Sequence, residues 1–173
     1  MHPVSLQHID KLRRFLADDG DARQAATDEH IRFALYVDAL VRVSPDAERD
    51  LLLLVGEDPD VSMRESAVIA YLERKANELA AAHMFGAWLN RLGETLGAFP
   101  IARQRASDLL LFKVIEESGE PPGASLRASD WLQHKLSEES MSLDVLAVLA
   151  EAGRTKRIRR AAARRGEELR RSS

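Results

Sequence analysis

Apolar residues recur every three or four positions along most of this chain, and no long run alternates strictly between apolar and polar residues. Near the N-terminus, Leu6, Ile9 and Leu12 return at the spacing of one helix face. The pattern predicts an all-α protein without strands of more than about three residues. About nine helices are predicted, over residues 6–16, 28–43, 45–55, 59–76, 80–97, 101–117, 131–136, 143–152 and 155–171.

Two of these helices have a well-defined predicted inner face. In the second helix, the spacing favours burial of an aliphatic set. In the fifth helix, it favours burial of a mixed aliphatic and aromatic stripe. The predicted buried residues are Ile31, Ala34, Leu35, Val37 and Leu40 in residues 28–43, and Met84, Phe85, Trp88, Leu92 and Leu96 in residues 80–97.

Several helix starts are predicted from side chains that accept hydrogen bonds from free backbone N–H groups. Ser44 and Asp58 each precede a proline, and proline suits the first helical position because its missing N–H is not needed there. Ser142 and Thr155 are predicted to cap the last two helices, and Gly153 is predicted to end the first of these two.

An arginine recurs four times between an apolar or small residue and a further small or apolar residue three positions later. The four are Arg32, Arg64, Arg103 and Arg159, at intervals of 32, 39 and 56 residues. The last interval exceeds the second by about one helix and its turn. This pattern predicts stacked two-helix repeats. It also predicts that Arg64 is partly buried and bonded to a carboxylate or carbonyl of a neighbouring turn, with Asp58 as the expected partner.

The stretch from 51 to 68, LLLLVGEDPDVSMRESAV, contains an Asp-Pro-Asp turn and an arginine after an apolar residue. It resembles a HEAT-type or leucine-rich-variant helical repeat, and the likeness extends more weakly to residues 143–163. The resemblance implies a right-handed α-solenoid of about nine helices. Such solenoids build surfaces for protein partners in many unrelated functions.

The chain is expected to form a single domain over residues 1–173, because its length suits one hydrophobic core. Its one Pro/Gly-rich stretch, residues 119–125, is predicted to be an irregular loop that is too short for a domain boundary. Residues 155–171 are predicted to be a basic helix that caps the end of the solenoid.

The amino-acid composition excludes several classes of protein. Aromatic residues are only 5% of the chain, which predicts a core of Leu, Ala and Val. Cysteine is absent, so disulfides and thiolate metal sites are excluded. The longest apolar run, Leu51 to Val55, is far shorter than a membrane span, and no basic flank precedes an apolar run at the N-terminus. A soluble, cytoplasmic protein without membrane contact is expected.

Charge is divided unevenly along the chain. Residues 154–173 hold nine Arg or Lys and two Glu, a net charge of +7, so residues 1–153 carry −10 of the overall −3. On a helical wheel, five of these cations fall within a stripe about 100° wide, opposite Ile158, Ala162 and Leu169. We name the five the cationic stripe: Lys156, Arg157, Arg160, Arg164 and Arg171. It is interpreted either as a solubilising cap or as a binding surface for acidic protein or phosphates.

Residue patterns typical of catalysis are not found. The five histidines include no pair at i, i+4, and we expect them to be scattered over the surface or its rim without binding metal. Adjacent acidic pairs point about 100° apart on a helix and so do not converge on one substrate atom. Glycine-rich phosphate loops are also absent. No catalytic residue, metal or cofactor is therefore predicted.

The sequence favours a non-enzymatic binding module, such as an adaptor, regulatory or toxin-neutralising protein. It would engage a protein partner through the concave face of the solenoid, as a monomer or weak homo-oligomer. Two alternatives stay open: a nucleic-acid-binding accessory protein using the basic C-terminal helix, and an enzyme whose site is assembled from distant residues. The predicted binding residues are the cationic stripe together with Arg103 and Arg105.

Overall fold

The structure, a computed structural model, describes residues 4–15, 27–118 and 123–172, and all regular elements in these ranges are helical. The all-α prediction is therefore confirmed. A 3-10 helix, Gly93–Ala98, follows the fifth α-helix. The α-helices are α1 (Leu6–Arg13), α2 (Glu29–Arg42), α3 (Glu48–Gly56), α4 (Val61–Glu78), α5 (Ala82–Leu92), α6 (Pro100–Ser118), α7 (Gly123–Arg127), α8 (Asp130–Glu139), α9 (Leu143–Ala152) and α10 (Lys156–Ser172).

The chain divides into two compact units, Met1–Glu78 with Gly86–Ala106 and Leu79–Phe85 with Ser107–Ser173. In the first unit, α2 packs against α3 and α4, and α1 packs on α3. In the second unit, α10 packs on both α8 and α9. Whether the two units form the single domain predicted for residues 1–173 stays a prediction.

The prediction of an irregular loop over residues 119–125 is wrong for residues 123–125. Residues 119–122 lie outside the described residues, and the structure then forms the short helix α7. Ser125 of this helix is 1% exposed, and the carbonyl of the next residue, Leu126, accepts a hydrogen bond from the Gln133 side chain at 2.9 Å. These contacts fold the end of the Pro/Gly-rich stretch onto α8, which composition alone does not reveal.

One core cluster of the second unit is aliphatic. The prediction of a core of Leu, Ala and Val is nevertheless wrong for the chain, because five aromatic side chains are buried: Tyr36, Tyr71, Phe85, Trp88 and Phe99. α10 contributes Ile158 and Ala162 to the aliphatic cluster, and Leu169 packs half-buried against it. The docking face expected for the last helix is therefore confirmed. The remaining buried members are Ile115, Ala128, Leu132, Leu136, Val145, Leu146 and Leu149.

The predicted caps of the last two helices are confirmed. The Ser142 hydroxyl accepts a hydrogen bond from the backbone N–H of Val145, and the Thr155 hydroxyl accepts one from Ile158. Gly153 ends α9. A Cβ at Gly153 would lie 2.5 Å from the Leu149 carbonyl oxygen, so the close approach here requires glycine.

The two predicted Xaa-Pro caps are displaced. α3 begins at Glu48, after a turn that is closed by a hydrogen bond from the Ala47 N–H to the Ser44 carbonyl. α4 begins at Val61, and the Asp60 carboxylate accepts the N–H of Met63 in its first turn. Asp58 does not cap this helix because both of its carboxylate oxygens are engaged elsewhere, as described below.

The inner face predicted for α2 is confirmed only in part. Leu40 is buried, and Ile31 and Leu35 pack half-buried against a core cluster, but Ala34 is exposed. The buried residues also include Arg32 and Tyr36, which the aliphatic spacing does not predict. The physical reason is that Arg32 and Tyr36 both bond to a buried carboxylate, so their polar groups are satisfied inside the unit.

The helix predicted over residues 80–97 is broken near its end. Gly93 has φ of +51°, a left-handed conformation that glycine adopts readily, and the chain continues as a 3-10 helix. Met84 of the predicted stripe is 49% exposed, so its assignment to the inner face is wrong. The other four members, Phe85, Trp88, Leu92 and Leu96, are buried as predicted.

The prediction for Arg64 is confirmed. Its side chain is half-buried and donates from Nη1 to the carbonyls of Gly56 at 2.9 Å and Asp58 at 3.4 Å. Arg159 likewise donates from Nη1 to the carbonyl of Gly153, at the end of α9. In these two copies, the recurring arginine satisfies carbonyls that the preceding helix leaves without partners.

At or near the start of several helices, a backbone N–H group donates a hydrogen bond to an acidic side chain of another helix. Glu65 of α4 is 2% exposed and accepts the backbone N–H of Ala102 at 2.8 Å, in the first turn of α6. Glu116 of α6 accepts the N–H of Met141 at 2.9 Å, just before α9. At the start of α5, the acceptor comes later in the sequence than the helix: Glu117 of α6 accepts the N–H of Ala82, the first residue of α5.

Candidate binding surface on the last helix

α10 presents the cationic stripe on the side away from its docking face. All five stripe residues are exposed, whereas Ile158, Ala161 and Ala162 are buried. Gly166 is buried as well, and a Cβ there would meet the Cβ of Leu146 at 3.8 Å. The prediction that α10 presents the five stripe residues opposite its docking face is therefore confirmed.

The C-terminal half of the stripe is neutralised by acidic residues. Arg164 forms an ion pair with Glu138 of α8 at 3.1 Å and a longer one with Glu168 at 3.8 Å. Arg171 lies 3.7 Å from the carboxylate of Glu167. These pairs are exposed and contribute little stability, but they reduce the free positive charge of this half.

The N-terminal half of the stripe keeps its charge. Lys156, Arg157 and Arg160 form no ion pair or side-chain hydrogen bond with any residue that the structure describes. We name these three residues the free cation cluster. They extend over the first turns of α10, where no acidic residue accompanies them. This end of a helix carries partial positive charge, so a cation in its first turn, such as Lys156 or Arg157, costs about 0.3–1 kcal/mol.

Ion pairs beside the cluster fix the position of α10. Arg154, just before the helix, pairs with Asp130 at the start of α8 and also donates to the Ala128 carbonyl at 3.0 Å. Arg164 reaches Glu138 near the end of the same helix. α8 and α10 therefore run side by side in the same direction.

Arg103 and Arg105, the other predicted binding residues, lie on the part of α6 that belongs to the first unit. Arg105 is only 20% exposed in its side chain and pairs with Glu73 of α4. Arg103 is exposed. Whether either residue shares a surface with the cationic stripe stays a prediction.

The first unit contains a buried polar network that the spacing of residues in the sequence does not predict. Asp58, 0% exposed, accepts from the Arg32 guanidinium at 2.8 Å and from the Tyr36 hydroxyl at 2.7 Å on the same oxygen. Its other oxygen accepts the N–H of Asp60 at 2.8 Å. The His8 Nε2 lies 2.6 Å from the Tyr36 hydroxyl oxygen. The expectation that all histidines lie at the surface or its rim is therefore wrong for His8, which is 6% exposed.

The hydrogen-bond directions in this network follow from its acceptors. Because the Tyr36 hydroxyl donates to Asp58, the His8 Nε2 carries the proton that is shared with Tyr36. In the neutral imidazole, the His8 Nδ1 therefore has no proton, and it lies 3.8 Å from a Glu57 carboxylate oxygen. Burial lowers the pKa of His8 below its ordinary value, against the opposing effect of Asp58 and Glu57. Burial also raises the pKa of Tyr36.

A second buried carboxylate, that of Glu48, lies in the first turn of α3. It is 4% exposed and accepts hydrogen bonds from the Tyr71 hydroxyl and from Trp88 Nε1, the latter at 2.9 Å. The two aromatic rings meet edge to face at 5.7 Å. Burial raises the pKa of Tyr71, and the hydrogen bond to Glu48 adds to the effect. Both carboxylates hold helices together from inside the unit.

Neither buried carboxylate is open to a substrate, because the side chains around them are almost fully buried. Among the described residues, no three His, Asp or Glu side chains are placed to hold a metal ion. Within the same ranges, no helix is long and apolar enough to cross a membrane. The free cation cluster is exposed and has no ion pair among the described residues, and such a cluster can bind an anionic group without chemical change.

No protein-family model, no curated protein sequence and no solved structure matches this chain. The right-handed solenoid of HEAT-like repeats therefore stays a prediction.

Proposed function

We propose that this chain is a non-enzymatic binding module that engages an acidic segment of a protein partner through the free cation cluster. The observation that carries the proposal is the placement of Lys156, Arg157 and Arg160. They are exposed, lack ion pairs among the described residues, and occupy the helix end where positive charge is unfavourable.

A purely solubilising cap accounts for this arrangement less well. A cap needs polar side chains on the outer face of the last helix, and acidic side chains in the first turn would meet that need while stabilising the helix. α10 has none there and carries three cations in its first turn, Lys156, Arg157 and Arg159. A bound anion compensates both the cations and the helix dipole.

The extent of the cluster favours an acidic protein segment over nucleic acid. From residue 156 to residue 160, the helix advances only about 6 Å. Glu138, Glu167 and Glu168 interrupt the positive charge farther along. Three cations neutralise about three phosphates, fewer than the 6–10 contacts that give a protein substantial affinity for DNA.

The test compares two labelled probes by fluorescence anisotropy: a short Glu/Gly peptide and a single-stranded oligonucleotide of the same net charge. The test variant is Lys156→Gln/Arg157→Gln/Arg160→Gln. The matched control, Lys11→Gln/Arg42→Gln/Arg74→Gln, removes one Lys and two Arg whose charges are already paired. Both variants therefore change the net charge equally.

We expect the test variant to weaken peptide binding about tenfold, since three exposed charge contacts contribute roughly 0.2–1 kcal/mol each. The control variant should bind like the wild type, and binding should weaken as salt is added. Equal peptide affinity of the test and control variants would contradict the proposal and show that the cluster acts only as a solubilising cap. Tighter binding of the oligonucleotide, lost in the test variant, would favour nucleic acid as the partner.

A further inference from the structure

An open groove lies in the first unit between α2 and α4, at the end where both helices begin. Asp58, just before α4, binds Arg32 and Tyr36 of α2 and so holds the two helix starts together. The groove has a volume of about 380 Å³. Its lining includes Glu29, His30 and Phe33 from α2, and Asp60 and Met63 from the start of α4. Both sides of the groove are therefore supplied by helices that a buried carboxylate ties together.

The apolar part of the lining consists of Phe33 and Met63. Both side chains are half-buried, so part of an aromatic ring and part of a thioether chain stay accessible in the groove. A thioether chain adapts to the shape of whatever packs on it, and the face of an aromatic ring attracts a cation. This lining suits an apolar stem that ends in a positive charge.

The charged part of the lining is acidic, with one carboxylate from each side. Glu29 forms no ion pair or side-chain hydrogen bond with any residue that the structure describes. Asp60 accepts the N–H of Met63, but no described cation pairs with it. His30, the other ionisable residue of the lining, is exposed. The helix dipole favours an acid at each helix start, but it does not explain an apolar groove left open between the two acids.

We propose that this groove binds an arginine side chain of a protein partner. Charge complementarity selects a cation, and the apolar lining selects the type of cation. A guanidinium group pairs with a carboxylate through two parallel hydrogen bonds, stacks on an aromatic face and is more weakly hydrated than an ammonium group. The methylene stem of arginine can cover Phe33 and Met63 while the guanidinium stays beside Glu29 and Asp60.

The openness of the groove favours a side chain of a protein over a free small molecule. Ser62 and Ser66 also line the groove, and both are exposed. Small-molecule pockets typically bury about 70–90% of their ligand, whereas an open groove covers one side of it. A side chain that is presented by its own backbone needs no deeper enclosure. The groove does not include the free cation cluster, so this proposal and the proposed function can fail separately.

The test is an NMR titration with blocked amino acids, followed through the backbone amide signals of the protein. The probes are N-acetyl-arginine-N-methylamide, its citrulline counterpart, which has the same shape without the charge, and its lysine counterpart. The test variant is Glu29→Gln/Asp60→Asn, in which asparagine keeps the ability to cap α4. The spectrum of each variant also verifies that it is folded.

The matched control is Asp144→Asn/Glu151→Gln on α9. It removes the same two residue types, and both residues are exposed and without an ion pair in the described ranges. Asp144 lies in the first turn of its helix, as Glu29 does. A further variant, Phe33→Leu, keeps the lining apolar but removes the aromatic face.

We expect the arginine probe to shift the signals of residues 29–33 and 60–66, and to bind about three- to tenfold more tightly than the citrulline probe at low salt. The test variant should lose this preference, the control should keep it, and Phe33→Leu should weaken binding of the arginine probe more than that of the lysine probe.

Four outcomes overturn the proposal. The first is the absence of shifts at these residues, and the second is an arginine preference that survives in the test variant. The third is lysine binding as tight as arginine binding, which removes the assignment to arginine. The fourth is a set of groove shifts that appears when the wild type is concentrated without a probe, which assigns the groove to a second copy of the chain.

Discussion

Arg32 and Asp58 form an ion pair whose burial can be tested against an exposed counterpart on the same helix. Arg32 Nε and an Asp58 oxygen are 2.8 Å apart, with side chains 1% and 0% exposed. Arg42 and Asp38 have the same separation, 2.8 Å, but are 56% and 42% exposed. The residue types and distances are equal, so the two pairs differ in burial and in the further hydrogen bonds that Asp58 accepts from Tyr36 and Asp60.

We expect Arg32→Met to lower the free energy of unfolding by about 3–5 kcal/mol, because it leaves the buried Asp58 carboxylate without this cation. Arg42→Met should lower it by only about 0–1 kcal/mol, because water screens the exposed pair. Urea denaturation of both variants provides the measurement. Similar losses in the two variants would show that the Arg32 pair is not buried in solution.

A second stability test concerns Arg64, the recurring arginine whose guanidinium donates to backbone carbonyls and not to a carboxylate. Arg64→Ala should lower the melting temperature, with a loss of about 1.5–3 kcal/mol for a charged donor. Arg157→Ala, which removes an unpaired cation from the start of a helix, should leave stability unchanged or slightly raised. An unchanged melting temperature for Arg64→Ala would contradict the role assigned to the recurring arginine.

At the scale of elements, α1 is held to α2 through His8, and this contact depends on pH. His8 contacts Tyr36, and Glu57, Asp58 and Lys11 lie around it. Its pKa is lowered in the folded state, so the unfolded chain binds more protons at mildly acidic pH. The stability contributed by neutral His8 is therefore present above about pH 6.5 and is lost as pH falls through the folded pKa.

We expect the free energy of unfolding of the wild type to fall between pH 7.5 and pH 5, beginning near pH 6.5. His8→Gln cannot take up this proton, so the variant should show a smaller fall over that range. Urea titrations at several pH values measure both. Parallel pH profiles of the two proteins would show that His8 is not the group responsible.

The element scale also shows what local sequence can predict. Ser142 and Thr155 were predicted correctly as caps because their partners lie three residues away. The spacing of apolar residues does not predict that Arg32 of α2 is buried, because the carboxylate that binds it lies 26 positions later. For the candidate site, helical spacing predicted which cations are exposed. It did not predict that Glu138, on another helix, pairs with Arg164.

At the scale of the whole molecule, the acidic part of one copy can attract the basic end of another copy electrostatically. Residues 1–153 carry −10 and residues 154–173 carry +7. Such contacts are screened over about 8 Å at physiological salt, so they should be weak. We expect light scattering to show a monomer at high salt and at most slight association at low salt. A stable dimer at high salt would require an apolar interface instead.

The acidic acceptors at helix starts become available at different times during synthesis, because they lie at different positions along the chain. A ribosome releases α4 before α6, so Glu65 is already available when the first turn of α6 emerges, and Glu116 likewise precedes Met141. α5 is the exception, because Ala82 must wait for Glu117, 35 residues later. During translation, its first turn is therefore the one of these three that remains incomplete until a later helix has left the ribosome.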